Sequence, residues 1–161
     1  MTALVNSVMA LEKRGDTAGA VQACQEAVKA DSKYLLPYEK LATYADRKEQ
    51  WDEAVKYSSA WIQLDPEDFP AAYLVNAISN ARLKRMDEAE RAARAGLLID
   101  KNRRMPRLSY VLGLILAEKR QYAESVEQLR DYLKYMPNAK DAEIVREHIT
   151  KLGQASDAAR R

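Results

Sequence analysis

Two pairs of adjacent acidic residues are the groups in this sequence most easily read as catalytic. The pairs share the order Asp-Glu and lie at Asp52–Glu53 and Asp87–Glu88. Two neighbouring carboxylates could serve as a general acid and a general base. Each pair, however, directly follows the first residue of a predicted helix, where negative charge faces the positive end of the helix dipole. We therefore interpret the four carboxylates as first-turn residues and not as catalytic groups.

The other residue types that could do chemistry stand alone. His148 is the one histidine, and no Cys/His set with the spacing of a zinc site surrounds it. Cys24 is the one cysteine; it lies on the apolar stripe of its predicted helix and is interpreted as a small core residue. The 5 glycines are too scattered for a phosphate-binding loop. The sequence therefore predicts no enzyme, no catalytic residue, no metal site and no cofactor.

A run of basic residues offers a different chemistry, which is the binding of an anionic partner. Between Arg82 and Arg107 there are nine basic residues and four acidic ones. A basic edge occupies a predicted turn within this run and consists of Lys101, Arg103, Arg104 and Arg107. Phosphate groups bind to such clusters, but this turn has no aromatic residue on which bases could stack. The edge is therefore interpreted either as a solvated surface or as a site for an acidic protein, and nucleic acid is the less favoured partner.

One helix that occurs four times must position these residues. The copies begin at Thr17, Trp51, Met86 and Tyr122. A small residue lies early in each copy, at Ala20, Ala54, Ala89 and Ser125, so the copies are spaced by 34, 35 and 36 residues. A second predicted helix precedes each copy, over residues 3–13, 37–48, 70–85 and 106–119. The period accommodates two helices joined by short turns, and short turns make neighbouring helices antiparallel.

This pattern resembles the tetratricopeptide repeat over roughly residues 1–138. The residues that carry the resemblance are the helix starts WDEA, MDEA and YAES, the pairs Leu41–Ala42 and Leu112–Gly113, Ala27, and the closing prolines Pro66 and Pro137. The resemblance implies an all-α fold, a right-handed α-solenoid of four antiparallel helix pairs plus a C-terminal capping helix. We expect a single domain over residues 1–153, with repeats at about 1–34, 35–69, 70–105 and 106–139. The capping helix is expected at about 139–152, ended by Gly153, and a frayed tail at 154–161.

The resemblance also implies a concave groove lined by the first helix of each pair. The matching positions are Val5, Met9, Glu39, Thr43, Leu74, Ile78, Tyr110 and Leu114. The fourth first helix, LSYVLGLILA, is apolar on nearly all sides, so it is either buried all round or shows one face to a partner. An exposed apolar stripe would suit a peptide or an amphipathic helix of another protein. The alternative is that these residues only contact the next repeat.

Two details of the same helices bear on the ligand. Members of the family that hold a chaperone's C-terminal carboxylates share a basic and Asn set in the groove. Here the matching positions hold Val5, Met9, Lys40, Ala71 and Val75, of which only Lys40 is basic, so that ligand is not predicted. Asn76 and Asn80 lie four residues apart, either as a satisfied polar pair at a contact between repeats or as a polar floor for a ligand's backbone.

Composition limits the remaining classes of protein. Apolar residues make up 47% of the 161 residues and charged residues 31%, with a net charge of +2. A charge this small does not by itself indicate nucleic acid or a membrane surface, and no stretch approaches the roughly 18 apolar residues of a membrane span. The N-terminus lacks the features of a signal peptide. Because the chain begins and ends near repeat boundaries, it is also compatible with a segment of a longer, even exported, protein, so its compartment is left open.

The sequence thus predicts a non-catalytic protein–protein interaction scaffold that binds a partner segment in its groove. Two alternatives are kept. The first is an electrostatic adaptor that uses the basic edge at 101–107. The second is self-association of the chain into a homo-oligomer, through an end of the solenoid or through the groove.

Overall fold

The computed structural model describes residues 2–159, in which the regular secondary structure is helical. This part of the chain holds nine helices: α1 (Thr2–Lys13), α2 (Thr17–Ala30), α3 (Leu35–Arg47), α4 (Trp51–Leu64), α5 (Pro70–Arg82), α6 (Met86–Ile99), α7 (Arg107–Glu118), α8 (Tyr122–Tyr135) and α9 (Ala142–Ala159). Each helix packs against the next one in the chain. The predicted all-α solenoid, with four helix pairs followed by one further helix, is confirmed.

The core is a series of buried clusters between successive helices and has no single centre. In the first cluster, Cys24 of α2 packs near Leu41 of α3. In the last, Leu129 of α8 packs near Val145 of α9, and both side chains are fully buried. The last helix therefore covers the apolar side that α8 would otherwise expose, which is the role of a cap in a stack of repeats.

The two helices of every pair are joined by the same tight turn. One residue of each turn has a positive φ: Gly15 at 73°, Glu49 at 57°, Lys84 at 61° and Arg120 at 60°. The next residue donates its backbone N–H to a carbonyl near the end of the preceding helix, as from Gln50 to Ala45 at 2.9 Å. This bond satisfies a carbonyl that would otherwise have no partner. Only the first of these turns has glycine, so each of the others holds a Cβ in a conformation that costs about 1–2 kcal/mol.

Paired helices approach closely where one of them carries a small side chain. Ser125 of α8 faces Gly113 of α7 and donates its hydroxyl to the Gly113 carbonyl at 2.7 Å. A Cβ on Gly113 would lie 2.8 Å from the Leu129 side chain and 3.3 Å from the Ser125 carbonyl oxygen. These distances are too short for ordinary contact, so packing requires glycine at this position. The residues that correspond to Ser125 in the three earlier second helices are the fully buried alanines Ala20, Ala54 and Ala89.

An aspartate closes three of the four repeats, a device that the sequence analysis did not single out. These residues are Asp31, Asp65 and Asp100, each directly after a second helix. Each carboxylate accepts backbone N–H groups of the following connection, and Asp100 accepts those of Arg104 at 2.9 Å and Met105 at 2.7 Å. The Asp100 side chain is fully buried. These bonds fix the direction in which the chain enters the next repeat.

The predicted end of the capping helix is wrong. The helix continues through Gly153 to Ala159, so residues 154–159 of the predicted frayed tail are helical, while residues 160 and 161 lie outside the described part. Gly153 lacks the positive φ of a helix-ending glycine. Since the residues after it, among them Ala155, Ala158 and Ala159, are good helix formers, nothing stops the helix there. The start of α3 also differs from the prediction, because this helix begins at Leu35 and not at Pro37.

A pair of glycine substitutions tests this description. Gly15→Ala should lower the free energy of unfolding by about 1 kcal/mol, because an alanine Cβ is disfavoured at positive φ. Gly153→Ala should raise it by about 0.5–1 kcal/mol, because alanine is the better residue inside a helix. Both values are measured by urea unfolding followed by circular dichroism. Destabilisation by Gly153→Ala would show that the helix ends at Gly153.

Candidate functional site

The stacking of the helices defines an inner side of the solenoid. Among the odd-numbered helices, α3 contacts α5 and α5 contacts α7, whereas the even-numbered helices of the described chain make no comparable contacts with one another. The odd-numbered helices are therefore closer together, and the stack curves towards them. All eight residues that the resemblance assigns to a groove lie on these helices: Val5, Met9, Glu39, Thr43, Leu74, Ile78, Tyr110 and Leu114.

The groove residues of α7 lie on its open face. Val111, Leu112, Ile115 and Leu116 form the packed face and are at most 8% exposed. Tyr110 directly precedes this set and Leu114 lies within it, but both remain only partly buried. The alternative of contact between repeats applies in part, because Leu74, Ile78 and Tyr110 also touch the edge of the core. Leu114 is the exception, since it packs against no buried cluster among the described residues.

The same side of the solenoid carries both apolar and polar residues at its N-terminal end. Met9 is 47% exposed and Val5 is partly buried on α1, and Glu39 and Thr43 are partly buried on α3. Lys40 is not available to a carboxylate ligand, because its Nζ donates to Glu12 of α1 at 3.0 Å.

Glu12 ties the first two repeats together. The Tyr44 hydroxyl donates to the Glu12 carboxylate at 2.6 Å. This hydrogen bond, together with that from Lys40, holds the pKa of Glu12 below its usual value. Burial, with the neighbouring Glu12 carboxylate, raises the pKa of Tyr44. The cluster therefore links α1 to α3 and leaves the apolar part of the groove to α5 and α7.

A cavity of about 460 Å³ lies between α5 and α7 on this apolar part. Its apolar lining includes Ile78, Ala81, Met86, Tyr110, Leu114 and Ile115. Its charged lining consists of Arg82, Lys84, Arg107 and Glu118. A volume of this size accommodates bulky side chains of a ligand. The cavity thus combines an apolar floor with three cations and one carboxylate.

The predicted basic edge is divided by the fold. Arg103 lies 3.7 Å from the Asp131 carboxylate, and Arg104 lies 4.0 Å from that of Asp100. Lys101 is exposed. Arg107 points elsewhere, because its guanidinium lies 5.7 Å from the centre of the Tyr110 ring and it lines the cavity. One member of the edge therefore faces the groove, while two face carboxylates of their own chain.

Asn76 and Asn80 form a buried polar ladder. The Asn76 amide donates to the hydroxyls of Ser58 at 3.0 Å and Ser59 at 2.9 Å on α4. The Asn80 amide donates to the backbone oxygen of Asn76 at 3.0 Å and to its side-chain oxygen at 2.8 Å. The two residues are only 8% and 3% exposed. Their geometry favours the first of the two interpretations, a polar pair at the contact between repeats, but the pair is not fully satisfied, because the buried Asn80 Oδ1 has no hydrogen-bond partner among the described residues.

The residues first considered for catalysis are engaged in other ways. Asp52 accepts a hydrogen bond from Arg85 at 3.0 Å, and Asp87 accepts one from Lys119 at 2.5 Å. Burial raises the pKa of the Cys24 thiol to about 11, far from the range in which a thiolate nucleophile forms at neutral pH. Over residues 2–159 no group of three or more His, Cys, Asp or Glu side chains could hold a metal ion.

Charge counting along the chain missed the cations that matter for the cavity. Arg82 and Lys84 fell within the basic run, but nothing in their spacing separated them from the other basic residues. Lys84 is the positive-φ residue of the turn after α5, and the repeat register of that turn is the signal that could have placed it at the mouth of the groove.

In the described part of the chain, no helix combines the length and apolarity required to cross a bilayer.

The Asn ladder gives a stability prediction. Asn76→Ala should lower the free energy of unfolding by about 1–3 kcal/mol, because it leaves buried partners of the amide without hydrogen bonds. Asn6→Ala, at an exposed helical position, should change it by no more than about 0.5 kcal/mol. Urea unfolding of both variants makes the comparison. Equal effects of the two substitutions would contradict the ladder.

Comparisons with known proteins agree with this architecture. No protein-family model matches the sequence, and no curated protein matches it. Among solved structures, a MamA protein superposes with a TM-score of 0.80 at 17% identity, over 97% of this chain and 86% of that one. The tetratricopeptide domain of Arabidopsis OM64 gives 0.65 at 23% identity, over 71% and 92%. The TPR2B domain of yeast Sti1, solved in complex with pHsp70, gives 0.64 at 22% identity, over 73% and 94%. The resemblance seen in the sequence is thus confirmed for the fold, and the chain has the fold of a tetratricopeptide-repeat solenoid.

Proposed function

We propose that the chain is a non-catalytic scaffold that binds a peptide or an amphipathic helix of a partner protein in its groove. The observation that carries the proposal is the open face of α7. Tyr110 and Leu114 remain partly exposed there, although seven of the twelve residues of the helix are buried. A helix that is apolar on all sides and buried on only one side leaves a face that a partner can cover.

The groove residues support a partner with apolar anchors. Leu74 and Ile78 of α5 and Tyr110 of α7 pack against the same core cluster, and α5 contacts α7 directly. Burial of one bulky side chain of a partner in this region would contribute about 1.5–3 kcal/mol. The Sti1 domain, solved with pHsp70, shows that a domain of similar fold holds a protein ligand. The polar groove positions, Glu39 and Thr43, would contact flanking parts of the segment.

The alternatives have weaker support. An anionic partner on the basic edge would compete with Asp131 for Arg103 and with Asp100 for Arg104. Nucleic acid would in addition require aromatic stacking groups in that turn. Self-association is a separate expectation, and light scattering over a dilution series measures it directly.

Matched double variants test the groove. Leu74→Glu with Tyr110→Ala should weaken binding of the partner by about 100-fold or more, because it removes apolar contacts worth about 1.5–3 kcal/mol each. Leu98→Glu with Tyr135→Ala makes the same changes at exposed apolar residues on α6 and α8 and should leave binding unchanged.

The measurement is affinity capture from a lysate with mass spectrometry, followed by calorimetric titration of the recovered partner. Circular dichroism confirms that both variants are folded. Equal loss, or equal retention, of the partner by the two folded double variants would rule out the groove as the binding site.

A further inference from the structure

We infer that the cavity between α5 and α7 selects a protein segment in which a bulky apolar side chain is flanked by carboxylates. This inference rests on the proposed function and specifies the chemistry of its ligand. The observation behind it is that one cavity is lined both by apolar side chains and by three cations. The cations come from the end of α5, the turn after it and the start of α7.

The floor is built for an apolar side chain. Ile78 of α5 and Leu114 of α7 both line the cavity, as do Ile115 and Tyr110. Leu114 is only partly buried and is not among the side chains packed against the core clusters, so part of its apolar surface is open to a ligand. An apolar group that covers this floor would remove it from water. A phosphate or another small anion would leave these apolar side chains exposed to water.

The rim of the cavity, which is formed by Arg82, Lys84 and Arg107, favours negative charge in a ligand. Arg82 ends α5, Lys84 lies in the turn after it, and Arg107 begins α7. Arg82 lies 5.7 Å from the centre of the Trp51 ring, and Arg107 lies 5.7 Å from that of the Tyr110 ring. An aromatic face holds a guanidinium in place without neutralising its charge.

The cations of the rim also differ from other cations of the same repeats. Lys119 contacts the carboxylates of Asp87 and Glu90, and Arg94 contacts those of Glu90 and Glu124. The three rim cations form no ion pair within the described residues.

Two carboxylates of the chain lie near the rim cations and oppose their charge. Glu118 lines the cavity and is the acid that opposes the three cations there. Burial raises the pKa of Asp46 on α3, and the nearby charges of Arg47 and Arg82 only partly oppose that rise; Asp46 does not line the cavity. The balance at the cavity is three positive charges against one negative charge. A segment that carries carboxylates on both sides of its apolar anchor complements this balance.

Peptides that differ only in charge test the selectivity. The probes are three short, acetylated and amidated, fluorescein-labelled peptides with identical Leu and Phe positions and with Glu, Gln or Lys at the positions between them. Blocked termini exclude binding of a terminal carboxylate. Fluorescence anisotropy with the full chain should show the Glu peptide binding about tenfold tighter than the Gln peptide, as expected for a few exposed ion pairs, and the Lys peptide binding weakest.

Two triple variants assign the preference to the rim. Arg82→Gln with Lys84→Gln and Arg107→Gln should reduce binding of the Glu peptide to that of the Gln peptide. Arg130→Gln with Lys140→Gln and Lys151→Gln makes the same change in net charge at exposed positions that do not line the cavity, and it should preserve the tenfold preference. Leu114→Gln should weaken binding of all three peptides, and circular dichroism checks that this variant is folded.

The outcomes separate this inference from the proposed function. Equal binding of the Glu and Gln peptides, or failure of the Glu peptide to bind, would overturn the selectivity for acidic segments and leave groove binding to the double-variant test above. Equal loss of preference in both triple variants would show that net charge, and not the rim, attracts the peptide. Tighter binding of a labelled single-stranded oligonucleotide than of the Glu peptide would overturn the inference in favour of nucleic acid.

Discussion

The close approach of paired helices is the constraint on which the rest of this structure depends. At the α7–α8 contact, Gly113 leaves no room for a Cβ, and Ser125 bonds to its carbonyl oxygen. Such contacts need a small residue once per repeat, which explains the spacing of the fully buried Ala20, Ala54 and Ala89. Because this packing occupies one face of each odd-numbered helix, it also decides which face is left over. In α7 both faces are apolar, and the left-over face becomes the candidate site.

Ion pairs between repeats affect which cations remain unpaired near the same site. Lys119 joins α7 to the acids Asp87 and Glu90 of α6, and Lys40 joins α3 to Glu12 of α1. Exposed pairs of this kind contribute little stability, but they take cations out of reach of a ligand. The cations that remain around the α5–α7 cavity are therefore a small part of those present in the sequence. Selectivity at this site follows from which charges the fold leaves without a partner.

Local signals were reliable where the answer lay within one or two turns of helix. The helix starts at Trp51, Met86 and Tyr122 are observed at those residues. The same kind of reasoning failed at Gly153, because a glycine ends a helix only when the backbone there adopts a positive φ. It also grouped Arg107 with Arg103 as one basic edge, whereas packing turns Arg107 towards Tyr110 and Arg103 towards Asp131. Neighbouring positions in a turn can face opposite sides of a solenoid.

The sequence by itself determined the period, the helices, the residues that must be small and the apolar stripes, because each of these is a pattern of residues within one helix or at a fixed spacing. It also determined that α7 is apolar on nearly all sides, without deciding whether every side is buried. Only the tertiary structure decided which charges are paired, since the partners of Lys40, Arg85 and Lys119 lie 28 to 33 residues away. The same is true of the cavity, whose apolar floor and basic rim come from α5, the turn after it and α7. These segments meet only when two repeats stack, and no spacing along the chain encodes which side chains then face one another.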